Sequence, residues 1–186
     1  EGTLVDVYTY SKTDLITSNQ ILNSLEDILL ATSKYLNGLP VDRYTFLYHF
    51  EDVAQGAWEH SFSSSYVMHE ANWEDLEEIM KSTSSHEFFH IVTPLNIHSE
   101  IIESFNFATP RTSDHLWFYE GVTEWAANNI LFRDGQLSVD EYLKILHSKA
   151  EQSDLYFNND VSLVGLAQNI FTEEGHQNYS NIYKKG

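Results

Sequence analysis

Apolar positions along this chain change their spacing at definite points, and each change marks an element. Leu4 to Tyr10 (LVDVYTY) is β-branched and aromatic with rough alternation, which predicts a strand. Ser11 to Asp14 breaks it. Ile21, Leu22, Leu25, Ile28, Leu29 and Leu36 then fall on one helical stripe, with Thr32 as its one polar interruption. Thr17 or Ser18 can cap that helix, and Gly38 and Pro40 end it. Arg43 to Phe50 (RYTFLYHF) returns to strand character, and its lone His49 reads as structural. Glu51 to Gly56 reads as a loop. Gly56-Ala57-Trp58-Glu59-His60 leads into Ser61 to Met68 (SFSSSYVM), a polar strand with four serines. A polar strand suits a sheet edge, where free backbone groups can pair with an extended peptide.

From Asn72 onward the pattern is helical. An acidic turn opens at Asn72, and a helix is predicted over Asp75 to about Val92, stopped by Pro94. Residues 95–113 read as a loop region with short apolar pieces (Ile101, Ile102, Phe105, Phe107), and His98 within it reads as a surface residue. Ser113 or Asp114 can cap a helix from His115 to Phe132, which contains Gly121. Asp134-Gly135 is a turn. Ser138 with Glu141 forms a capping box for a helix to about Glu151. Residues 153–161 look loop-like, Ser162 to Phe171 a short helix, and Glu173 to Asn178 a polar break. Tyr179 to Gly186 begins a further element, and this ending looks like a truncation. The expectation is an α+β chain, residues 1–186 as one domain, with a sheet-rich half over about 1–72 and a helical half over 73–186.

Composition narrows the function classes. The 186 residues carry 28 acidic and 10 basic side chains, a formal charge of −18. Nucleic acid is an unexpected partner, because phosphate contacts need clustered Lys and Arg. An acidic field favours cationic ligands such as free amino termini, and it equally serves solubility. No apolar run approaches membrane-spanning length, so no transmembrane segment is expected. The absence of cysteine removes disulfides and thiolate metal sites. It is compatible with an exported or periplasmic location, although the compartment is left unknown.

Candidate chemistry concentrates in Ser85-His86-Glu87-Phe88-Phe89-His90-Ile91. On a helix, His86 and His90 share a face at i and i+4 and can present two imidazoles to one ion. Glu87 follows the first histidine and can reach a water on that ion, the geometry of a zinc-activated water with a carboxylate base. A catalytic zinc uses three protein ligands, so a third must come from elsewhere. Glu120 is the best candidate, since it lies on a predicted helix among apolar residues and precedes Gly121. A glycine inside a helix often admits another backbone at close range. Glu124, one turn on, either orients a ligating histidine or faces solvent. Spacing alone favours a solvated acid for Glu59.

These motifs together resemble the gluzincin metallopeptidases, and most closely the glycyl aminopeptidase family. H-E-F-F-H is followed 30 residues later by the glutamate of L-W-F-Y-E-G-V-T. Gly56-Ala57-Trp58-Glu59-His60 resembles that family's G-x-x-E-H segment and, more distantly, the G-A-M-E-N segment of the alanyl aminopeptidases. Tyr183-Lys184-Lys185-Gly186 resembles the Y-x-K-G motif of both. The resemblance implies a thermolysin-like zincin catalytic domain, with a small mixed β-sheet subdomain packed against a helical subdomain. It implies one Zn2+ per chain on His86, His90 and Glu120, Glu87 as general base, and Tyr183 as oxyanion donor. It makes Glu59 the anchor for the substrate's amino group, with Gly56 and Ala57 beside it in the substrate-binding segment. Trp58 stands where the family commonly has smaller residues, which bears on the first substrate pocket. The implied partner is a peptide with a free amino terminus. Flanking domains, an N-terminal β-domain and a PDZ domain among them, are expected in the full-length protein. Two other functions compete with an aminopeptidase. One is an endopeptidase of the same clan, and the other a non-catalytic peptide-binding module using the polar edge at Ser61 to Tyr66.

Overall fold

Alternation within one strand fixes the centre of the sheet. In the computed structural model, which describes residues 2–106 and 108–186, β2 spans Arg43–Phe50. It buries Tyr44, Phe46, Tyr48 and Phe50 on one face while its other residues point away. Phe107, one of the expected apolar pieces, lies outside the described residues. β1 (Leu4–Ser11) runs parallel to β2 from Leu4↔Arg43 to Ser11↔Phe50. β3 (Gly56–His60) and β4 (Ser63–Met68) form a hairpin about Ser61 and Phe62. β4 pairs parallel with β2, so the order is β1-β2-β4-β3.

The expectation of an edge strand at Ser61 to Met68 is therefore corrected. β4 is an interior strand, and β3 holds the edge. The serines misled because they count as polar, yet Ser64 is fully buried and accepts a hydrogen bond of 2.7 Å from the Tyr66 hydroxyl. A buried hydroxyl that is paired carries little penalty.

The chain divides into two units, Glu1–Ile91 and Val92–Gly186. In the first, α1 (Ser18–Leu36) and α2 (Trp73–Phe89) accompany the sheet. Thr17 caps α1 in a capping box with Gln20, and Asn37 ends it in the left-handed conformation at φ 57°. The buried Thr32 hydroxyl donates to the Ile28 carbonyl at 2.8 Å, which is how the stripe tolerates it. α2 packs on α1, β3 and β4, so the sheet-rich unit runs past residue 72 and takes in this whole helix. Phe88 of α2 meets Tyr44 edge-on with ring centroids 4.8 Å apart, and Tyr48 stacks on Tyr66 at 4.4 Å. The opposite sheet face leaves Tyr8, Leu47 and Trp58 exposed in one cross-strand row. His49 stacks on Tyr10 at 4.6 Å on that face.

The second unit is helical: α3 (Glu100–Glu103), α4 (Leu116–Arg133), α5 (Val139–Tyr156), α6 (Leu163–Gln168), α7 (Glu173–Asn178) and α8 (Asn181–Lys185). Ser138 caps α5 with Glu141 as expected. α5 continues to Tyr156 instead of stopping near Glu151. Buried Ser153 lies in the added turn, where its hydroxyl meets Asn159 and Asn181. Glu173 to Asn178 is a helix, not a break; Thr172 accepts from the Gly175 N–H at 3.1 Å and starts it. Leu166, Ile170 and Ile182 form a small core against Leu116, Trp117 and Tyr183.

Candidate active site

The last turn of α2 is buried on every side. Ser84, Ser85, His86, Glu87, Phe88 and Phe89 are all buried, and so is His90 directly after them. Aromatics on the sheet explain one side: Phe88 inserts among Tyr44 and Phe46. Polar pairing explains another, because the Tyr48 and Ser84 hydroxyls meet at 2.5 Å and Ser84 also donates to the Met80 carbonyl at 2.6 Å. The helix ends at Phe89, earlier than the expected Val92, and His90 is its C-cap at φ −60° and ψ −12°. That conformation is still right-handed helical, so the His90 ring stays one turn above His86. Their ring centroids lie 4.8 Å apart, nearly perpendicular.

Glu59, predicted from spacing as a solvated acid, is half-buried on β3 opposite Ser64. Ligand atoms of Glu59, Glu87 and His90 all lie within 4.8 Å of one another. Two carboxylates and an imidazole that close together could hold a cation, either a metal ion or an ammonium group. A tyrosine that sequence reasoning passed over lines the same spot. Burial pushes the Tyr44 phenol up; the Ser64 hydroxyl draws it partly back, and the charges of Glu87 and Glu59 add to the rise. The only sign of this in the sequence is that Tyr44 shares the inward parity of Phe46, Tyr48 and Phe50.

Gly56 and Ala57 begin β3, opposite Val67 and Tyr66. Alternation puts Ala57 and Glu59 on the α2 side and Gly56 and Trp58 on the other. The Trp58 indole covers Gly56, where an added Cβ would lie 3.0 Å from a ring carbon. Trp58 therefore faces away from Glu59, and its size does not bear on a pocket there.

In the second unit Glu120 and Glu124 occupy successive turns of α4, both half-buried. Tyr183 on α8 hydrogen-bonds to Glu120, and its hydroxyl lies 2.8 Å from that of Tyr179. Burial pushes the Tyr183 phenol far above its ordinary range, and the Glu120 charge adds to the rise. Gly121 explains itself here: a Cβ on it would lie 2.5 Å from Gly186 Cα and closer still to the Gly186 carbonyl carbon. Glu124 forms an ion pair with Lys149, and Asn128 donates to its carboxylate at 3.3 Å. His98, read as a surface residue, binds the Pro94 carbonyl through Nδ1 at 2.7 Å.

A small mixed sheet joined to helices, with carboxylates and imidazole gathered at the end of one helix, is an arrangement suited to a hydrolase. The family model for M61 glycyl aminopeptidase matches residues 80–186, more than half of the chain, and the chain belongs to that peptidase family. Among solved structures, it is similar to an aminopeptidase N family protein from Idiomarina loihiensis, at 20% identity and a TM-score of 0.75. That likeness, which concerns the fold, covers 96% of this chain and 33% of the other. The chain thus spans about a third of the length of that protein. No curated protein matches the sequence significantly.

Proposed function

We propose that the chain carries the catalytic machinery of a zinc-dependent aminopeptidase on a thermolysin-like scaffold. The observation that supports this most is the gathering of Glu59, Glu87 and His90 at the end of α2. His86, His90 and Glu120 would hold one zinc ion. Two buried imidazoles one helical turn apart, with a carboxylate as third donor and no thiolate, would make a donor set that fits zinc. Bound there, the ion would supply Lewis acidity to the scissile carbonyl and lower the pKa of the attacking water.

The remaining work falls to the chain's own side chains. Glu87 takes a proton from the water and hands it to the departing amine. Tyr183 donates to the carbonyl oxygen as negative charge develops there, a role its held-on proton suits. Glu59 pairs with the substrate's α-ammonium group and so restricts cleavage to the amino end. Gly56 and Ala57, on the edge strand of the sheet, offer backbone groups to the peptide. With β4 interior, a non-catalytic peptide-binding reading would have to use the β3 edge instead of Ser61 to Tyr66.

Replacing Glu87 with Gln tests the chemistry. Turnover is expected to fall 10²- to 10⁴-fold, the usual share of a general base, with one zinc retained per chain. Wild-type turnover in that variant sinks the proposal. N-acetylated peptides test the amine anchor: cleavage as fast as that of free peptides makes the enzyme an endopeptidase.

A further inference from the structure

The second unit contains a cation that none of the roles above uses. Lys149 on α5 donates through Nζ to the Glu124 carboxylate of α4 and to the main-chain carbonyl of Tyr183 on α8, the latter at 3.4 Å. Lys149 and Glu124 are 16% and 18% exposed, so water screens the pair little. The chain around it is equally close, with the Gly186 backbone lying against Gly121. Lys184, the next residue after Tyr183, feels the same ammonium. Burial pulls the Lys184 pKa down and the Lys149 charge pulls it further, while Glu124 opposes them.

We infer that Lys149 is a positioning residue for Tyr183. One ammonium joins three helices: it is held on α5, anchored by a carboxylate on α4, and grips the carbonyl of the residue whose phenol lies beside Glu120. α8 is only five residues long and cannot hold its own orientation by helix propensity. Its rotation about its axis would swing the Tyr183 hydroxyl away, and a displacement of about 1 Å can cost about 100-fold in rate. The inference rests on the oxyanion role proposed for Tyr183. A competing account gives Lys149 a structural task only, the neutralising of Glu124.

The test is a set of variants of the full chain, assayed on a free-amino peptide with zinc content and amide hydrogen exchange measured alongside. Lys149→Met should lower kcat about tenfold or more with KM within about twofold. Zinc should be retained, and exchange at the amides of α8 should quicken; Lys149→Arg should restore most of the rate. The pair Glu124→Gln with Lys149→Met removes both charges and keeps the protein folded if the single variant is unstable. It should regain thermal stability but not kcat, and recovery of kcat there would reduce Lys149 to charge neutralisation and overturn the inference. Tyr183→Phe should lower kcat by about 10²- to 10³-fold, and Lys149→Met should then add nothing. If the two effects multiply, Lys149 does not act through Tyr183. If Tyr183→Phe turns over at the wild-type rate, the oxyanion reading fails and this inference with it. A slow Tyr183→Phe without coupling overturns the Lys149 role alone.

Discussion

Among the described residues, four of the chain's eleven tyrosines have phenols raised by their surroundings. Burial raises the phenols of Tyr44, Tyr48, Tyr66 and Tyr183, and neighbouring carboxylates add to the effect at Tyr44, Tyr66 and Tyr183. In the unfolded chain these phenols titrate near pH 10. Above that pH the unfolded state binds fewer protons than the folded one, so stability falls as pH rises. The contribution of these phenols is full below about pH 10 and is lost as pH rises beyond it. An alkaline titration followed at the phenolate absorbance should leave these four silent until the protein unfolds, and the unfolding midpoint in denaturant should drop over the same range. A smooth titration of all eleven in the folded protein would contradict this. At this scale the i, i+4 histidines were legible, because helical geometry alone pairs them. The closeness of Tyr44 to Glu87 was not, because it depends on how α2 sits on the sheet. Nor was the Lys149 contact to the Tyr183 carbonyl, since backbone acceptors leave no mark in a sequence.

Helix α4 shows how one missing side chain sets an element's neighbours. Gly121→Ala would gain about 1 kcal/mol of helix propensity on an exposed helix. Here the new methyl group meets the Gly186 backbone, and overpacking costs about 1–3 kcal/mol. The clash wins, because backbone cannot swing aside as a flexible side chain would. The variant should melt at a lower temperature and turn over more slowly, whereas Ala in place of the open Gly2, with nothing within 4 Å, should leave both unchanged. Equal melting temperatures for the two variants would refute the packing argument. A close approach at Gly121 was legible from the oddity of a mid-helix glycine, although its partner was not. The capping box of α5 was legible to the residue, whereas the α1 cap was narrowed only to Thr17 or Ser18 and its Gln20 partner was not seen. β4 was misplaced because polarity was counted without the Ser64–Tyr66 pair, and α7 was missed because its helix is polar throughout. Local pattern reports what faces water, and it fails where buried polar groups satisfy one another.

The charge of the whole chain, −18, acts over longer distances than any of these contacts. Salt shortens that reach to about 8 Å at physiological ionic strength. A peptide with a protonated amino terminus should therefore be drawn in more strongly at low salt. KM for such a peptide should rise several-fold between 10 and 500 mM salt, while the inhibition constant of its acetylated form, added as a competitor, stays nearly flat. Parallel curves for the two would place the attraction in local contacts alone. On the roles proposed here, the hairpin that turns at Ser61 and Phe62 separates two tasks. Glu87 sits on α2, whereas Glu59 is delivered by the hairpin before it. Bond breaking and the reading of the peptide's end thus lie in different segments of one gene. A change confined to the exposed turn at Ser61 and Phe62 would re-aim the acid that reads the peptide's end while the hydrolytic helix stays as it was.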